Sequence, residues 1–427
     1  MIMKNLLFLL SALLLGNSIY AQAIDSLPPV QISIASYAEE TNQYSNDKIA
    51  TSTSEMIFNK QKKAIKGNEK VQDDVLIVLK NDGSIVSYNA NTWEEAWSFQ
   101  FSDDAISKMR NKFRVENAIL YATSSQRQLV ALNVNNGSLY WQTDIGNRNS
   151  ITRSYQITGQ YLPIKDNLIY LASCNQQLYA LDKYTGAHVW NYKLDFEYNL
   201  YSPAIYNNHL VIPNAPWIYY FDAVTGEPIW QRGFGNEPMY VQPQIDNRRA
   251  YISGERGIIY ALNIKNNADI DWQYKLEGWQ SIISDSPILQ DDVYYFATVG
   301  YGEQKTSVYA LNAENGQLKW ETSLENKNKI RALSLISDCI IGFFEAETDA
   351  FFVLDAKTGN KYPIEQPKEP IISNIIHVNE ETVAFLTKHY YVEYHIKENR
   401  YKYQELNLND TSVSKYNVHI SLVKRSN

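Results

Sequence analysis

The residue types that most often do chemistry are few in this chain, and they are spread out. His188, His209, His377, His389, His395 and His419 stand on separate stretches, and only His389 and His395 are near one another. A metal site needs several ligands that converge, and no such spacing is present. Cys174 and Cys339 are the only cysteines, so there is no Cys-Cys pair and no Cys-x-x-Cys-His haem site. No Gly-x-Ser-x-Gly, phosphate loop or His-Glu-x-x-His occurs. Asp285, Asp291 and Asp292 read as turn acids. Aromatic residues are abundant instead, with 32 Tyr and 9 Trp. Aromatics serve strand packing or, together with Arg, the anchoring of a protein interface. Which of these applies depends on the elements that carry them.

Those elements repeat. The clearest copy runs from Ser307 to Leu324: an alternating strand, the turn Ala313-Glu-Asn-Gly316, and a second strand carrying Trp320. Two strands joined through Asn-Gly read as a β-hairpin. Further copies cover Gln128 to Ile145, Gln177 to Leu194 and Trp217 to Phe234, with Trp141, Trp190 and Trp230 in the same slot. Weaker copies centre on Trp97, Trp272, Pro363 and Tyr403, so eight slots follow one another at intervals of 40–49 residues. A period of that length with several short strands is the signature of a propeller blade. The expected fold is all-β: an eight-bladed β-propeller of four-stranded antiparallel blades. Trp97, Trp141, Trp190, Trp230, Trp272 and Trp320 are expected to be structural anchors. An indole in each seam buries a large area and gives its N–H to a neighbouring carbonyl. In the third repeat the expected strands are Tyr155 to Ile164, Asn167 to Cys174, Gln177 to Asp182 and Ala187 to Leu194.

The flanks divide the chain further. Residues 1–23 have a basic start at Lys4, an apolar run from Leu6 to Leu15 and a small-x-small end at Ala21-Gln-Ala23, the pattern of a cleaved secretory signal peptide. No Cys follows the run, so N-terminal lipid attachment is not expected, and no later stretch is apolar enough to span a bilayer. Residues 24–73 form an N-terminal extension with an alternating piece, Val30 to Ile34, and a basic run from Lys60 to Lys70. Residues 74–408 hold the eight blades. Residues 409–427 end in an alternating stretch, Tyr416 to Lys424, expected to pair with the first blade and close the ring. The net charge of −8 argues against nucleic acid or anionic lipid as partner. Cys174 and Cys339 fall in repeats three and seven, nearly across the ring, so a disulfide between them is not expected.

The pattern Ala180-Leu-Asp-Lys-Tyr-Thr-Gly186 to Trp190, repeated as Ala310-Leu-Asn-Ala-Glu-Asn-Gly316 to Trp320, resembles the tryptophan-docking repeat of pyrroloquinoline quinone (PQQ) enzymes and their non-enzymatic relatives. The resemblance covers about residues 70 to 408. Its enzymatic branch implies long insertions, a disulfide between adjacent cysteines and a Ca²⁺ site, and this sequence shows none of these. In size, export and eight-repeat plan the chain is most similar to the BamB-like propeller subunits of the outer-membrane barrel assembly machinery. That resemblance implies a scaffold without catalytic groups.

Propeller geometry sends the connectors from each outer strand inward to the next blade's inner strand, across one face. In this sequence they carry Arg148, Arg153, Phe196, Tyr198, Tyr201, Met239, Tyr240, Trp279 and Arg331. Arg148, Arg153, Phe196, Tyr198, Tyr201, Tyr240, Trp279 and Arg331 are the expected partner-binding residues, and Trp279 stands out as a Trp outside the repeat slot. No catalytic, cofactor or metal residue is expected. The expected function is an exported, non-catalytic scaffold of the periplasm or cell envelope, monomeric outside a complex, that binds an envelope protein. The alternative is a PQQ-dependent quinoprotein-like enzyme, or a propeller that binds a small ligand or polysaccharide.

Overall fold

The computed structural model describes residues 58–61, 65 and most of 69–426. The gaps include 102–112, 146–156, 196–202, 278–279, 283–286, 325–329 and 409–417. The expected signal peptide, the Val30 to Ile34 stretch and Cys174 lie outside the described residues. Eight antiparallel sheets follow in chain order, and blades 2 to 6 and 8 are entered by their inner strand and left by their outer one. The chain is an eight-bladed β-propeller.

Alternation explains how one strand serves two seams. Successive side chains of a strand point to opposite faces. In Val75–Leu79 of blade 1, Val75, Ile77 and Leu79 pack with Leu120, Ala122, Val130 and Leu132 of blade 2. Leu76 and Val78 pack with Ala384 and Leu386 of blade 8. Both faces of this second strand are therefore covered, and it reads as an unbroken apolar run. The contact between blades 8 and 1 closes the ring. Outer strands are covered on one side only, and Glu95–Gln100, Pro228–Gly233, Ile270–Lys275 and Leu318–Ser323 share an alternating burial with the Trp inside.

Each of the six slot tryptophans docks on the following blade. Their indole N–H groups donate to Val134 O (2.7 Å from Trp97), Lys183 O (3.1 Å from Trp141), Ala223 O (3.1 Å from Trp190), Ile264 O (3.4 Å from Trp230), Ala313 O (3.0 Å from Trp272) and Ala356 O (3.0 Å from Trp320). In five of the six seams the ring lies flat on the glycine of the next blade's turn, and in the turn that receives Trp230 Ala268, at φ +60°, takes the glycine's place. At Gly186 a Cβ would sit 2.5 Å from the Trp141 ring, and φ is +68°, a backbone region costly for any other residue. The same contact recurs at Gly137, Gly226, Gly316 and Gly359. The turn glycine of the repeat is thus a seat for the preceding blade's indole. Gly186→Ala is expected to lower stability by about 1–3 kcal/mol through overpacking, read as a shifted urea midpoint with unchanged slope. A loss near zero would mean that the seat yields.

The inner strands begin directly after Pro163, Pro203, Pro243 and Pro287, at Ile164, Ala204, Gln244 and Ile288, where a missing N–H leaves no gap in a ladder. In blade 3 the inner strand comes in two pieces, Ile157–Thr158 and Ile164–Lys165, both paired with Leu168–Ser173. Its outer strand is His188–Lys193.

Three blades depart from the plan. His419–Val423 from the chain's end forms the inner strand of blade 1, antiparallel to Val75–Leu79. Blade 2 has a fifth strand, Phe58–Gln61, paired outside Leu139–Asp144. In blade 7 the sheet is Ile330–Ile336, Cys339–Phe344 and Phe351–Asp355, and its fourth strand is reduced to the bridge Leu354–Lys361.

Candidate interaction surface

The connectors rise from fixed feet. The residue after each outer strand is apolar and sunk into the seam, as Ile145, Leu194, Leu276, Leu324 and Leu406 show. Its N–H bonds a carbonyl in the turn between the second and third strands of its own blade: Leu194 to Gln176 (2.6 Å), Leu276 to Gly257 (2.9 Å), Leu324 to Thr306 (2.8 Å). The connectors and the second-to-third turns therefore share one face. Two feet are also tied by carboxylates. Asp195 accepts from the Tyr219 hydroxyl at 2.5 Å, which joins blade 3's exit to blade 4. Glu237, itself buried, accepts from the Arg256 N–H at 3.0 Å.

Of the sequence-derived contact residues, Arg148, Arg153, Phe196, Tyr198, Tyr201, Tyr240 and Trp279 lie outside the described residues. Arg331 is the second residue of blade 7's inner strand, Ile330–Ile336. Met239, read from sequence as part of a connector surface, is buried at the seam of blades 4 and 5 beside Trp230 and Ala250. It is core, because the connector there folds back to bridge Gly254.

The tyrosines are largely seam residues. Tyr170, Tyr251 and Tyr295 give their hydroxyl protons to Ala223 O (3.1 Å), Ala313 O (3.2 Å) and Ala356 O (3.3 Å), the carbonyls that also accept the indole N–H. Burial pushes Tyr88, Tyr170, Tyr220 and Tyr394 up to about 12. They stay protonated as donors and offer no phenolate for catalysis. Blade 3 varies the theme: Lys183 replaces the alanine, its buried ammonium pairs with Glu116 at 3.2 Å, and the buried Tyr121 hydroxyl keeps no partner. Among the described residues no three His, Cys, Asp or Glu side chains converge as metal ligands. Among the described residues no helix is long and apolar enough to cross a membrane.

Two surface features were not legible from sequence. The fifth strand of blade 2 is followed by Glu69, whose carboxylate takes hydrogen bonds from Asn133 (2.9 Å) and from Tyr140. Tyr140 was the available signal, since an aromatic stands where other repeats have the exposed Val189 or Ile229. The other feature is a strap, residues 361–370, which follows the edge of blade 7. Its signal was Pro363, Pro367 and Pro370 in a slot that elsewhere holds a strand.

A closed ring of blades locked by slot tryptophans, with turn glycines as their seats, defines a PQQ-like β-propeller. Within that class the chain belongs to the family described as outer membrane protein assembly factor BamB, which it matches over residues 48–162 and 203–340. It is 23% identical over 149 residues to the outer membrane protein assembly factor BamB of Yersinia pestis, which is 35% of each chain. The chain thus spans about a third of that curated relative. It is also 23% identical over 168 residues to the quinoprotein alcohol dehydrogenase PedH of Pseudomonas putida, covering 38% of this chain and 28% of the other. The solved BamB from Moraxella catarrhalis superposes with a TM-score of 0.54 at 18% identity, over 69% of this chain and 88% of that one.

Proposed function

We propose that this protein is an exported, non-catalytic scaffold of the cell envelope that binds a protein partner through the connector face, in the manner of a barrel-assembly subunit. Membership in the BamB family carries the reading. The site chemistry is compatible with it: the tyrosines are committed to seams, and the connector feet are fixed in depth, which suits a preformed contact surface. The partner is expected to be recognised by Trp279, Tyr240 and the arginines of the connectors. Replacing Trp279 and Tyr240 together by Ala should weaken capture of the partner from envelope extract by about 2 kcal/mol or more if they are hot spots, with the melting temperature unchanged. Full binding alongside a sharp drop in melting would make these side chains core and move the partner surface elsewhere.

The likeness to a quinoprotein dehydrogenase supports a second reading, in which the ring holds PQQ and Ca²⁺. Incubation with both, followed by desalting and absorbance, separates the two. A retained quinone chromophore would replace the scaffold reading.

A further inference from the structure

Blade 7 offers an edge of a kind the other blades lack. Its third strand, Phe351–Asp355, is buried, yet the segment beside it is not a strand. After the turn at Gly359 the chain makes one bridge, Lys361 with Leu354, and one further bond, Tyr362 N–H to Val353 O at 2.9 Å. Pro363 then takes the slot that holds Trp in blades 1 to 6, and the ladder stops. Farther along, the side-chain amide of Gln366 supplies what a strand backbone would. Its Oε1 accepts from Phe351 N–H at 2.9 Å, and its Nε2 donates to Phe351 O at 2.9 Å. A side chain here imitates the paired N–H and C=O of an antiparallel neighbour.

The strap is held by side chains rather than by a ladder. None of residues 361–370 is buried. Its far half hangs on blade 8: Tyr401 donates to Glu365 O at 2.7 Å, Tyr403 accepts from Lys368 N–H at 3.0 Å, and Glu369 accepts from the His389 N–H at 3.1 Å and pairs with the His389 ring at 2.7 Å. Pro363, Pro367 and Pro370 have no N–H to give, so the strap cannot become the strand whose place it occupies. The molecule itself shows that an outer edge takes an added strand, since Phe58–Gln61 seats on blade 2 in a four-residue antiparallel register. Next to the strap lies an aromatic cluster, with Phe351–Tyr394 and Tyr394–Tyr401 centroids 5.2 and 4.7 Å apart.

We propose that residues 361–370 are a displaceable cover, and that the edge Phe351–Asp355 docks an extended segment of the partner protein as the fourth strand of blade 7. The occupant is proline-free and carries an aromatic residue at the position of the missing Trp. The inference rests on the protein-binding reading above and names a mode for it, strand addition.

The test uses the full chain and a fluorescent peptide copied from residues 315–324, the outer strand of blade 6 with its Trp320. Gln366→Ala removes both amide bonds of the cover, and the peptide should bind this variant about fivefold more tightly than wild type. Bound peptide should slow amide exchange in Phe351–Asp355. The same peptide with Trp320 replaced by Pro should bind neither. Should Gln366→Ala fail to fold, Tyr403→Phe removes the acceptor of the Lys368 N–H and should raise affinity in the same direction. Equal affinity for wild type and the loosened variant, or protection at another blade, overturns the proposal. If the peptide never binds while the partner is still captured from extract, this inference falls and the scaffold reading stands. If capture fails as well, both fall.

Discussion

Trp141→Ala is expected to lower the stability of the ring by about 3–5 kcal/mol, the range for truncating a large buried aromatic. It should be the most damaging of the slot substitutions. Trp141 is 0% exposed, whereas Trp97, Trp230, Trp272 and Trp320 retain 8–9%. The difference comes from the fifth strand and Glu69, which add a layer outside blade 2. The outer strand Leu139–Asp144 is buried from its second residue to its last, where its counterparts alternate. Truncation would leave a cavity over Gly186 and strand the carbonyl of Lys183, which accepts the indole N–H at 3.1 Å. It would also remove the ring beside Tyr121, whose centroid is 6.1 Å away. Trp190→Ala should cost less, because Trp190 is only half-buried. Urea unfolding of the two variants at constant slope checks the order. A loss under about 1 kcal/mol for Trp141→Ala would contradict the burial argument.

Deleting residues 416–427 should cost about 5 kcal/mol or more and turn the protein toward aggregation. The deletion removes the inner strand of blade 1 and exposes the edge of Val75–Leu79, a run of five buried apolar residues. Val418 and Ile420 leave the seam with blade 8, at about 1.5–3 kcal/mol for each buried side chain. The outgoing tail also holds Val71 through Ser426 and holds Asp74 through the Arg425 N–H at 2.7 Å and the Lys424 ammonium at 3.3 Å. The Arg425 N–H, opposed by burial and helped by Lys424, keeps the Asp74 carboxyl below its ordinary value of 3.8. A lowered folded value means that this contribution is complete above 3.8 and is lost as pH falls through the folded value. The gap in melting temperature between full chain and deletion should therefore narrow in strong acid. Unchanged melting of the deletion at neutral pH would show that the ring closes without its last strand.

The ring was legible in the sequence because the fold writes one indole into every locked seam and a turn glycine into all but one of them. Each pair serves a contact between successive repeats, so the spacing survives even where strands diverge. The fifth strand was not legible, since Phe58-Asn-Lys-Gln61 has no apolar alternation and its pairing partner, Leu139–Asp144, lies some eighty residues away. The basic run around it reads as a solvated loop for the same reason. Gln366 was invisible too, because a side chain acting as backbone leaves no periodic trace. The connector residues were chosen by type and topology, which can place a loop on a face but cannot say which side chains stand out from it.

The docking of each indole on the next blade is a heterologous contact, made head to tail between unlike surfaces. Contacts of that kind propagate until geometry returns the chain to its start, and between molecules they build open polymers. The two joints that lack the slot indole lie side by side. At the joint of blades 7 and 8 the Trp slot holds Pro363, and the glycine seat holds Asn399, which bonds Pro363 O at 3.2 Å. At the joint of blades 8 and 1 the slot holds Tyr403. The seat there holds Trp93, at φ +63°, its ring centroid 4.8 Å from that of Tyr391. The aromatic thus comes from the opposite side of the joint. A blade from another copy bearing an ordinary indole would find no glycine on blade 1, and blade 8 has no indole to place on a foreign seat. The irregular joints make the array count to eight and stop.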